Sequence, residues 1–148
     1  MNASSHDRCP WLASPRALFL LAVAIAAGCG VNGAAWRPLP VPADRGVVYM
    51  YRPYEFIGSG AAPLVTCGPE SIELEAGGYY AFLTGGGPIV CSAANARELR
   101  FDARPGESYY VREKVESGGV QFSLMKGGAG RDEIASTRLQ APLPAAGQ

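Results

Sequence analysis

The groups able to do covalent or acid–base chemistry are few and unevenly placed. The only histidine is His6, and the four cysteines are Cys9, Cys29, Cys67 and Cys91. His6 and Cys9 precede an apolar run, Ala17 to Ala27, that follows Arg8 and Arg16. A basic front, a greasy middle and small residues at the end is the order of an export signal that is removed on maturation. Without that segment no imidazole remains, which excludes Ser-His and Cys-His nucleophile pairs and every histidine-containing metal site. Carboxylates are then the main candidates for catalysis. Glu73, Glu75 and Glu113 sit in strand-like stretches among apolar residues, where solvated charge on an outer face is the ordinary explanation and a carboxylate-dependent hydrolase the least supported one. Six aromatic residues, Trp36, Tyr54, Tyr79, Tyr80, Tyr109 and Tyr110, could stack on the faces of a glycan. Arg52 is the charged residue that stands out. It follows the apolar Val47 to Tyr51, where desolvation is costly unless the guanidinium is paired. A fold-specifying ion pair or a stack on tyrosine is expected there, with ligand binding by Arg52 and Tyr54 as the alternative.

The apolar run is too short to span a bilayer, which takes about 20 residues, and Gly28, Cys29 and Gly30 close it. Ala26-Ala27-Gly28-Cys29 resembles the lipobox of bacterial lipoproteins, with alanine where leucine is usual. The resemblance implies cleavage before Cys29 and acylation of its sulfur and new N-terminus, leaving residues 1–28 as a lipoprotein signal peptide. More than one acyl chain holds stably, each buried methylene contributing about 0.8 kcal/mol. By the same resemblance Gly30, which is not aspartate, implies sorting to the periplasmic face of an outer membrane. The whole chain carries 13 basic and 13 acidic residues. Loss of Arg8, Arg16 and Asp7 leaves 11 and 12, without the basic excess that nucleic-acid binding needs.

These residues must be positioned by one domain, since the remaining 120 residues support a single core. Residues 29–45 carry Pro38, Pro40 and Pro42 at every second position and read as an anchor and extended tether. Within it Trp36 is expected to pack back on the domain or to lie near the headgroups. Residues 46–139 show strand after strand. Ile72 and Leu74 alternate with charge, as do Leu99, Phe101 and Ala103, while Val120, Phe122 and Leu124 alternate with Gln121, Ser123 and Met125. Val47 to Tyr51 is apolar on both parities, which fits a central strand or one whose outer face is covered. Tyr79-Tyr80 and Tyr109-Tyr110 are expected to put one ring inside and one outside. Gly77-Gly78, Gly85 to Pro88, Pro105-Gly106 and Gly118-Gly119 read as turns, Pro105-Gly106 as type II. The expectation is an all-β fold: a compact antiparallel β-sandwich or barrel-like domain of about eight short strands. One short C-terminal helix is expected over Arg131 to Arg138, after a Gly127 to Gly130 loop, and residues 140–148 form a flexible tail.

Val48-Tyr49-Met50-Tyr51-Arg52-Pro53, Phe56 with Gly58 and Gly60, Gly78-Tyr79-Tyr80, and Pro105-Gly106 followed by Tyr109-Tyr110-Val111-Arg112 resemble, in order and spacing, a family of small exported bacterial proteins known as domain of unknown function 2846. The resemblance covers about Gly46 to Leu139 and implies a compact β domain in the envelope. The family's P-G-x-H turn is replaced here by Gly87-Pro88-Ile89, so its histidine is missing.

Cys67 and Cys91 are the cysteines left after the anchor, and in an oxidising compartment such a pair is expected to form a structural disulfide. A loop of about 25 residues gives it ~3.5 kcal/mol in the entropic description. The expected function is that of a non-catalytic envelope lipoprotein, held to the membrane by its N-terminal lipid, whose β domain binds or braces an envelope protein. Glycan binding is the alternative. No cofactor or metal is expected.

Overall fold

The computed structural model describes residues 31–140 other than 56, 57 and 59. The export segment, Cys29, Phe56 and the tail beyond Gln140 lie outside the described residues. The chain forms β1 (Gly46–Tyr51), β2 (Leu64–Cys67), β3 (Glu70–Glu73), β4 (Gly78–Thr84), β5 (Gly87–Ala93), β6 (Leu99–Ala103), β7 (Ser108–Glu116), β8 (Gly119–Met125), α1 (Gly127–Ile134) and β9 (Arg138–Leu139). Two sheets face each other. The larger has the order β8-β7-β1-β4-β9 and the smaller β3-β2-β5-β6.

The all-β, sandwich-like expectation holds, with one difference in pairing. The smaller sheet is antiparallel throughout, but β1 runs parallel to β7, and β4 parallel to β9. Parallel neighbours need a long crossover. Here the whole smaller sheet lies within the crossover from β1 to β7, in place of the usual helix.

Val48, Met50, Phe82, Val111, Val120 and Phe122 of the larger sheet meet Val65, Cys67, Ile72, Ile89 and Cys91 of the smaller one in the main core. Strand pleating sends the other parity of the larger sheet to its outer face. There Val47, Tyr49, Tyr51, Tyr79 and Tyr110 pack with Ile134 of α1 and with Trp36 and Val41 of the N-terminal segment. Every residue of β1 is therefore buried, as its two-sided apolar character requires. The tyrosine pairs do divide between the two faces, but the members on the outer face, Tyr79 and Tyr110, are buried under this second layer.

The helix starts and stops about four residues earlier than expected. It takes in Gly127–Gly130 in spite of glycine's poor helix propensity. Tertiary fit explains this: a Cβ at Gly130 would lie 2.5 Å from the Cβ of Tyr110, so only glycine lets the helix come this close, and Ile134 is then fully buried. Arg138 and Leu139, expected at or beyond the helix end, instead extend the larger sheet. The turn at Pro105-Gly106 has Gly106 at φ 78° and a Glu107 N–H to Arg104 C=O bond, the type II geometry.

The proline-rich segment is not a free spacer over its whole length. Ala35 bridges Arg138, the Trp36 N–H donates to the Thr137 carbonyl, and the Leu139 N–H donates to Ala34. The Trp36 ring stands edge-on to Tyr49 at 5.9 Å, and the Leu39 N–H donates to the Tyr49 hydroxyl at 2.7 Å. Buried tyrosine needs a partner for its hydroxyl, and the strap supplies one.

Candidate functional site

The residues with most chemistry gather at the end of the larger sheet where β1 finishes. Parallel pairing sets Tyr51 opposite Arg112. One residue further, Arg52 and Glu113 share the inner face. One polar rung thus points outward under the second layer, and the next points inward between the sheets.

On the outer side the Tyr51 hydroxyl donates to Glu133 Oε2 at 2.7 Å. Arg112 meets Glu55 Oε1 at 3.0 Å and lies 3.4 Å from Glu133 Oε2. Burial, and then the Glu133 carboxylate beside it, push the Tyr51 hydroxyl above the ordinary phenol range. The cation, two carboxylates and phenol tie β1, β7, α1 and the loop after β1 together.

On the inner side Arg52 is 3 % exposed and Glu113 2 %. Arg52 Nη1 donates to the carbonyls of Ala61 (2.6 Å) and Leu74 (3.0 Å), and Nη2 to that of Gly58 (2.5 Å). Meanwhile the Arg52 and Gly77 backbones close a pair of hydrogen bonds through Gly78 C=O and Arg52 C=O. The side chain thus organises two loops that have no ladder of their own. Glu113 approaches Arg52 only to 4.0 Å, and neither of its oxygens has a hydrogen-bond partner among the described residues. Desolvation therefore dominates, with Arg52 opposing it, and the carboxyl is pushed up to about 7. This overturns the expectation of a solvated Glu113. The signal that could have found it is parity: residue 113 lies on the same face as Val111.

The other candidate residues do not join this cluster. Glu73 and Glu75 are exposed. Tyr54 is 67 % exposed, whereas Trp36, Tyr79 and Tyr110 lie in the outer layer. Tyr80 and Tyr109 pack against the main core, with hydroxyls on Glu70 (3.3 Å) and Glu107 (2.7 Å). No exposed aromatic platform is formed by these six. A depression of ≈ 300 Å³ is lined by Glu55, Lys114, Val115, Glu116 and Ser117. Its two carboxylates are each engaged by a cation, Glu55 by Arg112 and Glu116 by Lys114 at 3.0 Å. Among the described residues no group of three or more His, Cys, Asp or Glu is placed to hold a metal ion.

Cys67 and Cys91 are register partners on β2 and β5 and are joined. The Gly68 N–H to Val90 C=O bond next to them makes theirs a non-hydrogen-bonded pair, the closer of the two antiparallel pairings.

Comparison of the chain with protein-family models, with curated proteins and with solved structures finds no match.

Proposed function

We propose that the mature chain is a lipid-anchored envelope protein without catalytic chemistry, whose β domain binds or braces a partner close to the membrane surface. The observation that carries this reading is the strap. From Ala34 the backbone is hydrogen-bonded to the domain, and Val31 already lies near Gly78 at the end where β1 finishes. Only about four residues separate Ala34 from Cys29, a reach of roughly 14–18 Å when fully extended. An acylated Cys29 would hold that end of the sandwich beside the headgroups. Arg52 and Glu133 are engaged in internal contacts, Arg52 on loop carbonyls and Glu133 on Tyr51 and Arg112, while Glu113 is shut between the sheets and Glu73 and Glu75 stand on an outer face.

Metabolic labelling with a fatty-acid analogue tests the anchor. The wild-type chain should be labelled and should fractionate with membranes. Cys29→Ala should abolish labelling while leaving the domain folded, because it leaves the strap contacts from Val31 onward untouched. Persistent labelling of the variant would refute the lipid-anchored reading.

A further inference from the structure

The larger sheet has an unfinished edge. β9 covers only the first part of β4, pairing with Gly78 and Tyr79. Its bonds run from the Arg138 N–H to Gly77 C=O and from the Gln140 N–H to Tyr79 C=O. Backbone groups alternate along a strand, so the Gly77 and Tyr79 carbonyls point away from β1, whereas the Gly78 carbonyl points toward it and accepts from Arg52. The next outward groups are the N–H and C=O of Ala81 and Leu83. No hydrogen bond among the described residues reaches them from that side.

The primary structure explains why β9 stops. Continued in register, the next donors would be residues 142 and 144, opposite the Ala81 and Leu83 carbonyls. Both are proline and have no N–H to donate. One usual protection of an open edge, a charged side chain, is also missing, since no charged residue stands between Glu75 and Arg97. Leu83, 45 % exposed, projects beside the edge on the outer face.

We infer that the Ala81–Leu83 edge of β4 is a strand-addition site that accepts an extended, uncharged segment of a partner polypeptide. Backbone hydrogen bonds provide the attraction and an apolar side chain lies beside Leu83, the chemistry of sheet augmentation. The choice of a partner over a second copy rests on the lipid-anchored reading. Two β4 edges joined antiparallel would turn one molecule end for end, with the two anchors pointing in opposite directions. That Ala81 and Leu83 lack partners on that side among the described residues does not depend on the anchor.

The test uses the full mature chain in detergent, with lipidation checked on the same sample so that failure of the anchor and failure of the edge are read separately. The probes are a capped peptide of alternating threonine and valine and two versions N-methylated at alternate residues, one in each phase. The plain peptide should shift the Ala81 and Leu83 amide resonances. One N-methylated version should bind about tenfold more weakly than the other, since only one phase faces the edge. Pro142→Val with Pro144→Val should let the chain's own tail fill the edge, slowing Ala81 and Leu83 amide exchange and weakening the peptide about tenfold. Leu83→Lys should weaken it without tail pairing, and serves if the proline variant does not fold. Three results would each overturn the proposal: no shift at millimolar peptide, equal binding of both N-methylated versions, or a concentration-dependent dimer formed through these amides.

Discussion

The two sheets solve the same burial problem differently. The smaller sheet has one wet face, and its strands show it: β2 alternates exposed and buried along Leu64, Val65, Thr66 and Cys67. The larger sheet is covered on both faces, by its partner sheet and by α1 with the strap, and β1 is buried at every position. A one-sided sheet of four-to-seven-residue strands has little apolar area to hold it, and it contains the covalent cross-link. A sheet buried on both sides has apolar area to spare and accommodates charge, Arg52 and Glu113. The comparison teaches that each sheet should fail by its own route: the larger through an unpaired polar group, the smaller through loss of the tie between β2 and β5.

The largest expected effect is on the larger sheet. Arg52→Met keeps the packing of the stem but leaves three loop carbonyls without their donor and Glu113 without the cation that lies 4.0 Å from it. Breaking a buried pair from one side costs about 3–5 kcal/mol. Chemical denaturation should show a loss of that size, and the double variant Arg52→Met with Glu113→Leu should recover part of it. If Arg52→Met left the denaturation midpoint unchanged, the two-sheet contrast would lose its first half. A variant that stayed folded but no longer captured the partner would move Arg52 to the binding surface.

The smaller sheet should respond to reduction. Residues 67 and 91 are 24 apart, so the entropic description assigns the bridge ~3.5 kcal/mol. Mass spectrometry of the non-reduced chain should find the two joined, and a reducing agent should lower the melting temperature without changing the oligomeric state. Equal melting curves with and without reductant would mean that the small core holds the smaller sheet unaided.

How much of this was legible in the sequence follows from the same contrast. Period-two alternation is a clear signal where one face is wet, so Ile72 with Leu74 and Leu99 with Phe101 could be assigned to their faces directly. Turn chemistry was equally local, as at Pro105-Gly106. The second layer is legible only in part, in the two-sided apolar β1 and in Trp36 packing back on the domain, because its other contacts join distant segments. Residues 127–130 read as a loop until Tyr110 supplies the surface that Gly130 fits, and a proline-rich stretch reads as a spacer until Tyr49 and Arg138 bind it. For the candidate site, Arg52 was visible as a charge at the end of an apolar strand. Glu113 was not, because the charged Arg112 and Lys114 on either side made its neighbourhood look solvated.

The smallest expected effect is also the most specific to the larger sheet, a stability that falls as pH rises through the range of Glu113. Its carboxyl titrates at about 7 in the folded chain, against 4.5 for the free group. Between those values the folded state holds a proton that the unfolded state has released, so stability decreases as pH rises. Below the lower value both forms are protonated and the effect is absent. Above the upper value the full loss is reached, roughly 3 kcal/mol for a shift of this size. Desolvation drives it, since the Glu113 oxygens lack donors while Arg52 spends its own on carbonyls. Denaturation midpoints measured from pH 4.5 to pH 8 should therefore decline in the wild-type chain, and Glu113→Gln, which cannot ionise, should flatten the decline. The disulfide of the smaller sheet does not titrate and free thiols ionise only at about pH 8.5, so below about pH 7.5 reduction should displace the profile and leave its slope unchanged. A profile that kept its slope in Glu113→Gln would assign the pH dependence to another group and remove the buried carboxylate from the account of the larger sheet.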